Sequence, residues 1–182
     1  MEHALKQAKS LAKLLLKEAK SGNADILKRL KKYYRIDVDT KANVKLKMCQ
    51  HLVAKDTGLA DWQQLHELLS AQQRREGEKI NFGSVFHTSG CDRFLNKWFA
   101  TYAEAKSALT QYSYLVPYKH QFIVVKAPYF TEIGIQDKQL LNNDLVAVYP
   151  SEYWDMLAAK VFAHTRTNIM DSATKARASK AL

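Results

Sequence analysis

The first twenty residues, MEHALKQAKSLAKLLLKEAK, carry the pattern that most constrains the fold. Leu5, Ala8, Ala12, Leu15 and Ala19 recur at alternating steps of three and four, which is one stripe of an α-helix. At about 100° per residue that stripe centres near ~100° on a helical wheel, and Lys6, Lys9, Lys13, Lys17 and Lys20 fall between about 180° and 260°. Such a helix needs facing elements to bury its apolar stripe, while its lysines gather on one flank. Glu18 lies well away from that flank, and Glu2 is the only nearby acid.

The helical period continues through the first half. Gly22 suits a left-handed helix end, and Asn23 can cap a second helix over 24–35, with Ile26, Leu27, Leu30 and Tyr34 inward. Asp37 to Thr40 breaks the pattern, and Thr40 is the expected N-cap of a third helix that ends at Thr57-Gly58. A fourth helix, Ala60 to Gln73, is built on Trp62, Leu65 and Leu69. Gln72 to Lys79 is wholly polar apart from Gly77, so the expected organisation is a basic helical region 1–73 and a linker 74–80.

Beyond the linker the pattern changes, and an α+β domain is expected over 81–170, followed by a flexible basic tail, 171–182. Residues 83–89 and 145–149 are expected as strands, and 114–118 with 121–125 as a hairpin turning at Lys119-His120. Leu95, Trp98, Tyr102, Ala105, Leu109 and Tyr112 step like a long amphipathic helix, although Thr101 with Glu104 has the form of a capping box that breaks it. Pro128 suits the first turn of a short helix through Ile133, and Pro150-Ser151 starts another carrying Trp154, Leu157 and Phe162. The fold class is thus α+β: a helical N-terminal region, then a small domain with a short antiparallel sheet.

Charge is placed unevenly. The whole chain carries +10; residues 6–35 hold ten basic residues (Lys6, Lys9, Lys13, Lys17, Lys20, Lys28, Arg29, Lys31, Lys32, Arg35) against Glu18 and Asp25, so +8 sits in this segment and +2 in the rest. A concentrated positive field favours an anionic partner, and these ten residues are the candidate contacts to nucleic-acid phosphates. The competing reading is a solvated lysine face that serves solubility alone. No apolar run is long enough to span a membrane or to form a signal peptide, and two cysteines do not make a disulfide framework, so the expected location is the cytoplasm.

Ala54, Gly58, Trp62 and Leu65 lie in a stretch, His51 to Leu65, that resembles a short helical module near the N-termini of many uncharacterised bacterial proteins, some glyoxalase-related and others ankyrin-type. The module reads Ala-x-x-x-Gly-Phe, two residues, Trp and a spaced Leu; here Leu59 stands where Phe is usual. It implies a turn glycine and a tryptophan wedged between two helices, and no activity; no glyoxalase metal-site pattern is matched. Residues 86–125, through Gly90-Cys91, Phe94 to Phe99 and Pro117 to Phe122, resemble a domain of hypothetical bacterial proteins. A helix-turn-helix is disfavoured, because Gln64 stands where an apolar residue should pack back and Asp61 to Glu67 contains no Lys or Arg.

The one constellation with nucleophilic chemistry is Cys91 ahead of an expected helix near Asp92, with His87, His120 and Asn96 as conceivable partners. A small buried residue at a tight turn accounts for Cys91 as well, and Asp92 beside it disfavours thiolate. The six histidines are dispersed, with no CxxC, HxxxH, Walker or GxGxxG motif, so neither metal nor nucleotide cofactor is expected. Tyr33 and Tyr34 beside Lys31 and Lys32 suit base stacking, or else one ring is core and the other a lid. Trp98, Phe99, Tyr112, Tyr114, Tyr118, Phe122 and Tyr129 are expected to form the C-terminal core. The expected function is non-catalytic association with nucleic acid. The alternatives are a protein-interaction or regulatory factor using the aromatic domain and, below it, a cysteine-dependent enzyme.

Overall fold

Helix α1 (His3–Lys20) buries Ala4, Leu5, Ala8, Leu11, Ala12, Leu15, Glu18 and Ala19, the expected stripe widened on one side. Four of these are alanines, and so small a surface lets neighbouring helix backbones approach closely. In the computed structural model, which describes residues 2–34, 42–72, 80–137 and 141–178, α1 packs along the C-terminal helix α7 (Glu152–Ala178) and across α3 (Leu46–Asp56). It also touches α2 (Ala24–Lys31) and α4 (Trp62–Leu69). The N-terminus of α1 has no cap from Glu2; instead the buried Asp155 of α7 accepts from His3 N at 2.8 Å and Ala4 N at 2.9 Å. The N-terminal turns of α1 and α7 are thereby fastened together.

Local signals set the helix boundaries. Gly22 takes φ +86°, and Asn23 Oδ1 accepts from the N–H groups of Asp25 and Ile26. Helix α2 stops at Lys31 rather than running to 35, with the N–H groups of Tyr33 and Tyr34 both turned back to Leu30 O. Thr40 lies outside the described residues, and α3 begins only at Leu46, after a 3₁₀ turn at 42–43. Gly58 at φ +71° ends α3, and Leu59 N bonds Ala54 O at 2.9 Å, the six-residue closure typical of a glycine-terminated helix. Asp61 caps α4 through Gln64 N at 2.9 Å. Residues 74–79 of the expected linker lie outside the described residues, and Ile80 packs partly buried against the core.

The second half forms a sheet of β1 (Lys97–Phe99), β2 (Tyr114–Tyr118) and β3 (Gln121–Val125), all antiparallel in the order β1-β3-β2, with α5 (Tyr102–Ser107) and α6 (Pro128–Glu132) beside it. Trp98, Ile123 and Val116 stand opposite one another on one face, and Val124 and Leu115 on the other. Val116, Ile123 and Val125 join the main core, whereas Leu115 and Val124 form a small separate core with Ala105 of α5. The main core runs without interruption from α1–α4 into Phe82, Phe86, Tyr129, Tyr149, Trp154 and Phe162.

Four expectations are corrected here. Leu95 to Tyr112 is not one helix: Lys97–Phe99 pairs with β3, and the Thr101–Glu104 capping box starts the short α5 afresh. Leu95 and Tyr112, the ends of the supposed stripe, are 99% and 69% exposed, and Trp98 is half-exposed rather than core. Residues 83–86 form a turn, with Gly83 at φ +57°, a conformation foreign to a strand. Residues 145–148 also turn, because the Asp144 carboxylate takes the N–H groups of Val146 and Ala147; only a single bridge, Leu115 to Asp144, adjoins the sheet. Finally, 171–178 continue α7, and Ala173 is buried.

Candidate nucleic-acid interface

Because the α1 stripe faces α7 and α3, Lys6, Lys9, Lys13, Lys17 and Lys20 are all exposed on the opposite flank. From Lys6 to Lys20 the row spans about 21 Å at 1.5 Å per residue. Lys28, Lys31 and Lys32 are exposed as well. Among the described residues, none of these eight lysines is ion-paired with a carboxylate. Arg29 differs: it is partly buried and its guanidinium is held by Asp56 at the end of α3. Arg35 lies outside the described residues. Lys17, Lys20, Lys28 and Lys31 sit in the last turns of α1 and α2, where a cation complements the negative end of the helix dipole, so part of the charge has a structural use.

Tyr33 and Tyr34 divide as core and lid. The Tyr34 hydroxyl lies 2.6 Å from His51 Nδ1 with the rings edge to face, and burial, with Cys49 nearby, raises its pKa. Tyr33 is 45% exposed and stacks on His51 at 5.5 Å between centroids and 28° between planes. An aromatic ring held on a histidine beside Lys31 and Lys32 has the elements of a base-stacking platform.

The cysteine constellation takes a different form from the one anticipated. Cys91 sits inside a 3₁₀ turn, Ser89–Arg93, fully buried, and its sulfur lies 3.6 Å from Thr88 Oγ1. His87 Nδ1 is 2.9 Å from the Tyr129 hydroxyl, which donates to Phe86 O at 2.9 Å, while Nε2 faces Asp92 at 3.1 Å. Tyr129 is itself buried, and burial above all, with Cys91 next, pushes its pKa upward. Asn96 donates to Cys91 O at 3.0 Å instead of orienting a histidine, and His120 is exposed at the hairpin tip. The ring of His87 is enclosed by Trp98, Tyr118 and Tyr129. This arrangement joins the 3₁₀ turn to α6 and the sheet; it leaves no substrate access to sulfur.

Among the described residues, no group of three or more His, Cys, Asp or Glu could hold a metal ion, and no helix is long and apolar enough to cross a membrane. Two features had no signal in the sequence reading. One is the Asp144 cluster, which receives Tyr102 Oη–H at 2.7 Å and Lys106 Nζ at 3.2 Å. The other is a cleft along α7 whose residues come from five separate segments.

The fold defines an α+β chain in which a helical N-terminal region is followed by a small three-stranded antiparallel sheet. No protein-family model, curated protein or solved structure matches it.

Proposed function

We propose that this protein associates with nucleic acid without reading its sequence, through the α1 lysine row extended by Lys28, Lys31 and Lys32. The observation that carries the reading is the flank of five exposed lysines with no carboxylate partner. Duplex DNA offers a phosphate about every 1.7 Å of axis, so a row of this length meets several phosphates at once and releases their counterions. Phosphate contacts position a protein and carry no base information, so equal binding to unrelated duplexes is expected. Arg35 belongs to the same basic segment and is included in the proposed contact set. The role is binding rather than catalysis, since Cys91 is fully buried. A bacterial, cytoplasmic setting is part of the proposal, resting on the module resemblance at Ala54, Gly58, Trp62 and Leu65 and on two cysteines left as free thiols.

Fluorescence anisotropy with labelled duplexes of two unrelated sequences, at low salt and after nuclease treatment of the protein, tests the reading. Similar affinity for both duplexes, lowered in Lys9→Gln/Lys13→Gln/Lys17→Gln, is expected. Absence of binding to either DNA or RNA at low salt contradicts it. A protein-interaction role is favoured by one separate observation, the exposure of Leu95, Trp98 and Tyr112 on the C-terminal half. Loss of a co-purifying protein in Trp98→Ala, with nucleic-acid binding unchanged, would mark that second role.

A further inference from the structure

Tyr33 is an exposed ring on a fixed support. Its N–H and that of Tyr34 both bond Leu30 O at 3.0 Å, so the end of α2 sets the backbone that carries the two rings. One face of Tyr33 lies on His51 of α3, with centroids 5.5 Å apart and planes 28° from parallel. His51 is held in turn by Tyr34, whose hydroxyl is 2.6 Å from Nδ1 and whose ring meets it edge to face. Tyr34 packs against the main core, so the stack is anchored at its inner end. Among the described residues no second ring covers Tyr33, which stays 45% exposed. His51 Nε2 is enclosed and, among the described residues, without a hydrogen-bond partner. An aliphatic side chain would fill that place without this desolvation cost; what the imidazole adds is a flat aromatic plate beneath Tyr33.

Cations frame this stack from two helices. Lys31 and Lys32 directly precede Tyr33, and both are exposed. Lys47 and Lys55 stand four residues before and after His51 in α3, a spacing that puts all three on one face of that helix. None of the four lysines is ion-paired among the described residues. Asp56, at the end of α3, is engaged by Arg29 and also feels the charge of Lys32. Lys31, Lys47 and Lys55 therefore remain without a counter-charge among the described residues.

An aromatic face framed by ammonium groups suits both parts of a nucleotide: the base stacks on the ring, and the phosphates on either side meet lysines. A base inside a duplex has both faces covered by its neighbours and cannot stack on Tyr33, whereas an unpaired base can. We infer that Tyr33 stacks an unpaired nucleobase, so that the protein prefers nucleic acid carrying a single-stranded segment to closed duplex. The inference rests on the reading of the basic helices as phosphate contacts and adds the kind of strand they hold. Every base has a face to stack, so the preference is for strandedness and not for sequence.

Anisotropy with the whole chain tests this by comparing a blunt duplex, the same duplex with a short single-stranded overhang, and that overhang made abasic, which keeps its phosphates and removes its bases. The intact overhang should bind about fivefold or more tighter than the abasic one. In Tyr33→Leu the two overhangs should bind alike, and Tyr33→Trp should restore the difference. Fluorescence of 2-aminopurine placed in the overhang should change on binding the parent and Tyr33→Trp, and stay unchanged with Tyr33→Leu. The comparison of intact with abasic overhang on the parent needs no variant, so a substitution that unfolds the chain leaves the test in force. Equal binding of the two overhangs by the parent, or a difference that survives in Tyr33→Leu, overturns the inference; retained binding of the blunt duplex would then leave the lysine row standing. Binding to none of the probes overturns both.

Discussion

Asp155 joins the N-terminal turns of α1 and α7 with one side chain. Its two oxygens hold the N–H groups of His3 and Ala4 at 2.8 and 2.9 Å while the residue is 2% exposed. Removing it leaves two donors at the positive end of α1 without partners, so Asp155→Ala should cost about 2–3 kcal/mol in denaturant unfolding, and Asp155→Asn about half as much. Asp144 gives a pH signature. Burial pushes its pKa up, but the Ala147 N–H, the Tyr102 hydroxyl and Lys106 together outweigh burial and hold it below the usual carboxylate value. A depressed folded pKa means its contribution is present above the unfolded value of about 3.9 and is lost as pH falls through the folded one. Asp144→Asn should therefore be less stable at neutral pH and lose less stability than the parent on acidification below about pH 4, as read by melting at each pH. Both thiols are withdrawn from solvent by packing. Cys49 and Cys91 are fully buried, and burial pushes Cys49 up to about 11. Cys91→Ala should leave nucleic-acid binding intact at a stability cost of about 1–3 kcal/mol; native-state alkylation of Cys91 faster than that of a free thiol would contradict this.

At the scale of elements, α1 and α2 were readable because each carries a period of about 3.6 residues and meets the other at Gly22-Asn23, and α4 from the spacing of Trp62, Leu65 and Leu69. The hairpin of β2 and β3 was readable from two short apolar runs around Lys119-His120. β1 was not, since Lys97–Phe99 is three residues long and becomes a strand only when β3 pairs with it. The same limit applies to residues 145–148, where the Asp144 side chain competes for backbone donors that a strand would use. The lysine row was legible because it needs only one helix, whereas the α7 cleft was not, because its walls meet only after folding. Gly83 shows how a turn overrides a strand pattern: at φ +57° a Cβ would lie 2.3 Å from Thr57 O, and the chain is tied there by Ser84 N to Thr57 O at 2.6 Å. Gly83→Ala should lose about 2 kcal/mol or more by chemical denaturation, from strain and contact together; a loss below about 0.5 kcal/mol would show that the turn relaxes freely.

For the whole molecule, the main core crosses from the helical region into the second half, and α7 lies against α1. Cleavage between Gln72 and Ile80 should thus leave two fragments that co-elute on gel filtration, parting only on unfolding; spontaneous separation would mean two independent domains. The shared core also makes α1 a rigid rod whose lysines are displayed by packing, and on that rod the functional account depends. The most direct measurement is the salt dependence of duplex binding by the parent and by Lys9→Gln/Lys13→Gln/Lys17→Gln, both shown to be folded by circular dichroism. With about four phosphate contacts, log affinity should fall against log salt with a slope near about −3.6, at roughly −0.9 per phosphate. The triple variant should bind more weakly, with a slope shallower by close to three units. Equal affinity and equal slope for the two proteins would contradict the account and leave the lysine row as a solvated face.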